Sequence, residues 1–186
     1  MKYLLFCVSA AALLGACGTM PAGAAGEVAE AAMTQSAPPA MEFVTMAGAS
    51  DLYEIQSSQL VLASTEDPVL RRFAQMMVEH HTMTTATVMR AAQAEGLSPP
   101  PPMLDAPKTE MIRQLQAASG QARDDLYRQQ QMMAHREALI LHTSYAERGD
   151  APALKTAAAT AVPIVSRHYN MIVEMPDRSD NGLSGT

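Results

Sequence analysis

The sequence predicts an all-α fold: a bundle of four long helices, with one short extra helix in the connection between the second and the third. Three observations carry this expectation. Apolar residues make up 48% of the chain but aromatic ones only 4%, with no Trp, so Ala and the 15 Met supply much of the apolar content. Ala and Met favour helices over strands. Four stretches, each roughly 20 residues or longer, repeat their apolar positions at helical spacing, and helices of that length bury their stripes by packing into a bundle. No segment alternates apolar and polar residues over a useful length, which a half-buried strand requires.

Residues 1–16 read as a secretory leader rather than as part of the fold. Lys2 precedes an apolar, small-residue run from Tyr3 to Ala16 that is too short to anchor in a bilayer. The run closes on Leu14-Gly15-Ala16-Cys17, which resembles the bacterial lipobox, where the cysteine becomes the first mature residue and carries lipid. Cys17 is therefore expected to be lipidated, its acyl chains holding the protein on a membrane surface. Gly18 is not the Asp that resembles an inner-membrane retention signal, so in a cell with an outer membrane the expected address is that membrane, facing the periplasm. Cys7 lies in the leader, which leaves the mature domain without a thiol, and so without a disulfide, thiolate site or cysteine nucleophile.

Residues 17–41 follow as a tether. Pro21, Gly23, Gly26, Pro38 and Pro39 interrupt packed structure, although Glu27 to Gln35 has helical character. The bundle domain is expected over residues 42–176. Its first helix spans Glu42 to Ala63. The second starts at Asp67-Pro68, an N-cap with Pro at the first helical position, and ends near Glu95-Gly96. After Pro99 to Pro102, a short helix is expected from Thr109 to Ala117, stopping at Gly120. The third long helix runs from Ala122 to Glu147 and ends at Gly149. The fourth runs from Asp150 to Met175, with a kink at Pro163. Residues 177–186 read as a loose polar tail.

A helix turns 100° per residue, so residues 7, 11 or 18 apart share a face. In the first helix this places Glu54 on the inward stripe with Phe43, Ala47 and Val61, and Asp51 is a further inward carboxylate. In the second, Leu70, Met77, Thr84 and Ala91 form a row that His81 joins. His80 falls on the shoulder of that row and Glu79 points outward. In the third, Asp124, Gln131, His135 and His142 share an unusually polar face, near Tyr127. In the fourth, His168 lies between Ala161 and Met175 on the inward row. All five histidines thus face the interior or its edge. Buried polar groups need partners, because an unsatisfied one costs about 1–3 kcal/mol. Two solutions are open. One is a network of Glu-His and Asp-His-Tyr hydrogen bonds. The other is a metal site with Glu54, His81, His135 and His168 as ligands, one per helix, and His80, Asp124 and His142 as supporting residues.

Imidazole suits Zn, Cu, Fe and Ni, and the thioethers around the doublet (Met76, Met77, Met83 and Met89) select Cu(I), although Met is also a common core filler. The expected ion is one transition metal: Cu, Zn or Fe. Other chemistries find little support. A di-iron centre of the bundle type needs Glu-x-x-His motifs, and the chain has none. There is no Gly-x-Ser-x-Gly elbow, phosphate loop or dinucleotide fingerprint. With a net charge of -6 and no basic stripe, nucleic acid is excluded as a partner. The membrane, through Cys17, is the one partner the sequence names.

The stretch from Phe43 to about Met171 resembles the bacterial family called domain of unknown function 4142 (DUF4142). The resemblance rests on Phe43, Ala47 and Glu54; on Phe73, Ala74, Met77, Val78 and His81; on Ser119, Gly120, Asp124 and Tyr127; on Met132 and His135; and on Pro163 and His168. It implies an exported, often lipid-anchored protein with a ferritin-like four-helix fold. Two positions depart from the family pattern: His80 stands where Asp is usual, and Arg123 where an aromatic residue is usual. The resulting expectation is a non-enzymatic binding or envelope-stress module whose polar centre takes a metal. The alternatives are a metal-free interaction scaffold and a ferritin-like metal-dependent oxidase.

Overall fold

The computed structural model describes residues 30–175. The leader, Cys17 and the tail at 177–186 lie outside the described residues. Among the described residues all regular structure is helical: a helical segment over 30–34, then α1 (Ala40–Leu62), α2 (Pro68–Ala94), α3 (Ala106–Ala117), α4 (Gly120–Arg148) and α5 (Pro152–Val173). None of these helices is long and apolar enough to cross a membrane.

Local chemistry explains most boundaries. The Asp67 side chain accepts from the backbone N–H groups of Val69 and Leu70, and Pro68 occupies a position whose N–H would be unpaired anyway. α2 ends in a Schellman turn: Gly96 takes φ +74° and Leu97 N–H reaches the Ala92 carbonyl at 2.9 Å. α3 begins three residues before the expected Thr109, because Asp105 caps it by accepting from Lys108 N–H and Pro107 sits within the first turn instead of outside it. Gly120 does not stop α3. The break is made by extended Ala118 and Ser119, and Gly120 opens α4. α5 runs through Pro163 as one element. Gly149 ends α4, and a Cβ there would lie 2.5 Å from the Tyr145 ring.

α1 packs on α2 and α4, α5 packs on α4 and α2, and α3 lies against α1 and α4. Contacts fix the directions. Tyr127 meets Ser58 while Tyr145 meets Phe43, so α1 and α4 are antiparallel. α1 and α2 meet at Asp51 with His81 and Thr84, and α2 meets α5 at His80 with His168. α2 and α4 therefore start at the same end, and residues 95–119 return along the bundle as one long crossover.

The core has three layers. One end is built around Phe43, Leu141, Tyr145 and Leu154, the other around Leu70, Phe73, Tyr127 and Ile172. Between them lies a polar layer. Within the stretch read as tether, Ala32 is buried, and the Arg148 guanidinium donates to the carbonyls of Ala32 and Gln35.

Candidate metal centre

The polar layer brings together His81 from α2, His135 from α4 and His168 from α5. Their rings are nearly equidistant, with centroids 5.6 Å (His81–His135), 5.4 Å (His81–His168) and 5.4 Å (His135–His168) apart, and with interplanar angles of 55° to 78°. Each of the three residues is at most 1% exposed. One nitrogen from each lies within 4.8 Å of the other two. A point central to three such atoms lies no more than 4.8/√3, about 2.8 Å, from each, against about 2.0–2.1 Å in a zinc–imidazole bond. Each ring closes that gap by moving less than about 1 Å.

One nitrogen of every ring is held. His81 Nδ1 lies 2.7 Å from Asp51 Oδ1, and the other Asp51 oxygen accepts from the Thr84 and Thr85 hydroxyls, each at 2.9 Å. His135 Nδ1 donates to the Gln131 carbonyl at 2.9 Å, its own helix one turn back. His168 Nε2 lies 2.7 Å from Nδ1 of half-buried His80, the rings stacked 5.0 Å apart. The other ring nitrogens, His81 Nε2, His135 Nε2 and His168 Nδ1, are buried and have no hydrogen-bond partner among the described residues. A carboxylate, a backbone carbonyl and a second imidazole behind the rings are the supports that fix the tautomer of metal-bound histidines. In their neutral form, rings so held offer an unpartnered nitrogen each to a cation, and His81, whose pKa is raised by Asp51 and Glu54, gives up its second ring proton to do so. The residues therefore fit a single transition ion with nitrogen ligands.

The remaining sequence-derived candidates sit elsewhere. Glu54 lies on the far side of His135: Oε2 accepts from Gln131 Nε2 at 2.5 Å, and Oε1 is 3.7 Å from His135 Nδ1 rather than beside Nε2. It backs the histidine from behind. Asp124 accepts from Thr65 at 2.7 Å and lies eleven residues before His135, about 16 Å along α4. His142 stands against the edge of Phe43 at 5.5 Å, with Nδ1 unpartnered. Of the two solutions open to the sequence, the Asp-His-Tyr network does not form among the described residues. Tyr127 pairs with Ser58 at 2.8 Å, and the carboxylate that pairs with a histidine is Asp51. Its signal was present in the sequence, since Asp51 lies one turn before Glu54 and one turn after Ala47.

Burial governs the charges. It pushes His135 down to about 3, His142 to about 4 and His168 to about 2, with the His81 charge adding to the shift in each. It lifts Glu54 to about 7, against the pull of His81 and the Gln131 hydrogen bond. At His81 burial is outweighed by the Asp51 hydrogen bond and charge and by Glu54, so its pKa is raised. The sign for stability follows. Below an unfolded value of 6.5, His135, His142 and His168 take protons only in the unfolded chain, so stability rises with pH. Between 4.5 and about 7 Glu54 keeps its proton only in the folded chain and opposes this. His81 is protonated in both states below 6.5, and its contribution is lost as pH rises through its higher folded value. Metal-free protein is therefore expected to gain stability from pH 4.5 to 6.5, with a slope of about two protons, and to lose it above. Urea unfolding in chelator across that range checks the sign, and a flat profile would contradict the neutral assignment of His135, His142 and His168.

The fold and the site define an all-helical bundle with a buried three-histidine cluster. Residues 25–175 match the family model described as Domain of unknown function (DUF4142), and the chain belongs to that family. No curated protein matches the chain. No solved structure matches it either.

Proposed function

We propose that this protein is a lipid-anchored cell-envelope module whose bundle holds one transition-metal ion on His81, His135 and His168. The observation that carries the reading is the set of three buried rings that bring one nitrogen each within 4.8 Å of the other two, every ring having one nitrogen held by a hydrogen bond and the other without a partner. An all-imidazole donor set favours Cu, Zn, Fe or Ni over Mg, Ca or Mn. The ligands are closed from solvent, which favours holding an ion over turning over a substrate. The single long crossover is the connectivity of ferritin-like bundles, but the cluster lacks the four carboxylates of their di-iron sites. A mononuclear binding role is therefore preferred to an oxidase. The anchor is supported by Lys2, the apolar run and the lipobox-like Leu14 to Cys17.

Full-length protein in detergent, reconstituted with Cu, Zn, Fe or Mn and desalted, is expected to retain about one equivalent of Cu or Zn, and Mn poorly. His81→Ala/His168→Ala is expected to retain essentially none while keeping its helical circular dichroism. Elemental mass spectrometry reads both. A folded wild-type protein that retains no metal would overturn the proposal and leave the cluster as the polar core of an interaction scaffold.

A further inference from the structure

The groove between α2 and α5 holds two clefts, one on each side of the His80–His168 pair. The smaller, about 130 Å³, has Met83, Thr84 and Ile164 on its walls. The larger, about 500 Å³, opens at the other end, and three of its walls are thioethers: Met76 from α2, Met171 from the last turn of α5, and Met175 just beyond the end of that helix. Met76 and Met175 pack partly on the apolar cluster around Leu70 and Tyr127, as methionine fillers do. Met171 is 40% exposed at the groove mouth, where an apolar side chain gains little from packing. Arg72 and Glu174 add one charge of each sign, so the cleft has no net charge to attract a hard divalent ion. What distinguishes it is three neutral, polarisable sulfur donors, a set that selects Cu(I).

The position of the cleft adds to its chemistry. Met76 lies four residues before His80 on α2, and Met171 three after His168 on α5, so each methionine neighbours its histidine on one helix face. Half-buried His80 meets His168, and His168 belongs to the buried cluster. Sulfur and imidazole donors thus follow one another from the groove to the interior. We propose that the Met76–Met171–Met175 cleft captures a soft monovalent ion of the Cu(I) class and passes it through His80 to the three-histidine centre. The ion keeps its charge and only its ligands exchange. The passage rests on the function proposed above; the thioether site does not.

The test uses full-length protein carrying ¹³C-methyl methionine, titrated with Ag(I) as a redox-inert stand-in for Cu(I). The methyl resonances of Met76, Met171 and Met175 are expected to shift together and saturate near one equivalent. The same response is expected in His81→Ala/His168→Ala and should vanish in Met76→Leu/Met171→Leu/Met175→Leu, whose volume change is small. That triple variant should still retain Zn(II), and should load Cu(I) at the centre several-fold more slowly, as should His80→Ala. Unmoved methyls would overturn the thioether site, and unslowed loading would overturn the passage. Shifting methyls in a wild-type protein that retains no other metal would leave the cleft standing and remove the buried centre.

Discussion

Asp51→Ala is expected to lower stability by about 3–5 kcal/mol and, in the same protein, to weaken metal binding by about 10–100-fold. The stability loss comes from breaking a buried pair. Both side chains are nearly inaccessible, 2% and 5% exposed, so water cannot replace the missing oxygen. His81 Nδ1 and the Thr85 hydroxyl lose their acceptor, and Thr84 is left with only the His81 carbonyl at 3.2 Å. The affinity loss has a different origin. Asp51 fixes the His81 ring so that Nε2 faces the centre, and it makes the ring a better donor. Without the Asp51 charge and hydrogen bond, burial prevails and the His81 pKa falls. Asp51→Asn separates the two effects, because it keeps the shape and removes the charge. Urea unfolding, a competitive chelator titration and the His81 proton resonance read the three consequences. An Asp51→Asn protein with unchanged metal affinity and unchanged His81 titration would rule out the role given to Asp51.

Phe43→Ala is expected to cost about 3–5 kcal/mol while leaving the metal stoichiometry intact. The Phe43 ring is fully buried, stacked on Tyr145 with centroids 3.9 Å apart and edge-on to His142 at 5.5 Å. Truncation opens a cavity in the apolar end of the bundle. Phe43 lies eight residues before Asp51, about 12 Å along α1, so the loss is remote from the three rings. Thermal unfolding and metal content on the same sample make the comparison. If Phe43→Ala released the ion as readily as Asp51→Ala, the centre would depend on the packing of the whole bundle rather than on the hydrogen bonds behind each ring.

The two variants mark what was legible at different levels. Helical periodicity identified the inward stripes, and the inward histidines His81, His135 and His168 all lie on them. The caps at Asp67-Pro68 and Glu95-Gly96 were readable because their chemistry is local: a carboxylate on two backbone N–H groups, and a glycine at positive φ. α3 starts at Ala106 rather than at the expected Thr109, because the cap that opens it, the Asp105 side chain on the Lys108 N–H, lies upstream of the periodic apolar positions.

The ligand set was harder. A stripe fixes the direction a side chain faces but not its height against a neighbouring helix. His135 and His142 share a face on α4 yet sit two turns apart, about 10 Å, so only one of them can meet His81. Asp51 and Glu54 are one turn apart on α1, and the same question of height put Asp51 behind His81 and Glu54 behind His135. By itself the sequence determined the helices, their inward faces and the family, because these follow from local propensity, capping and a 100° turn per residue. Only the tertiary structure decided which inward groups meet and which nitrogen of each ring is left free. Those depend on the relative height of four packed helices, a quantity set by the whole core and written in no single segment.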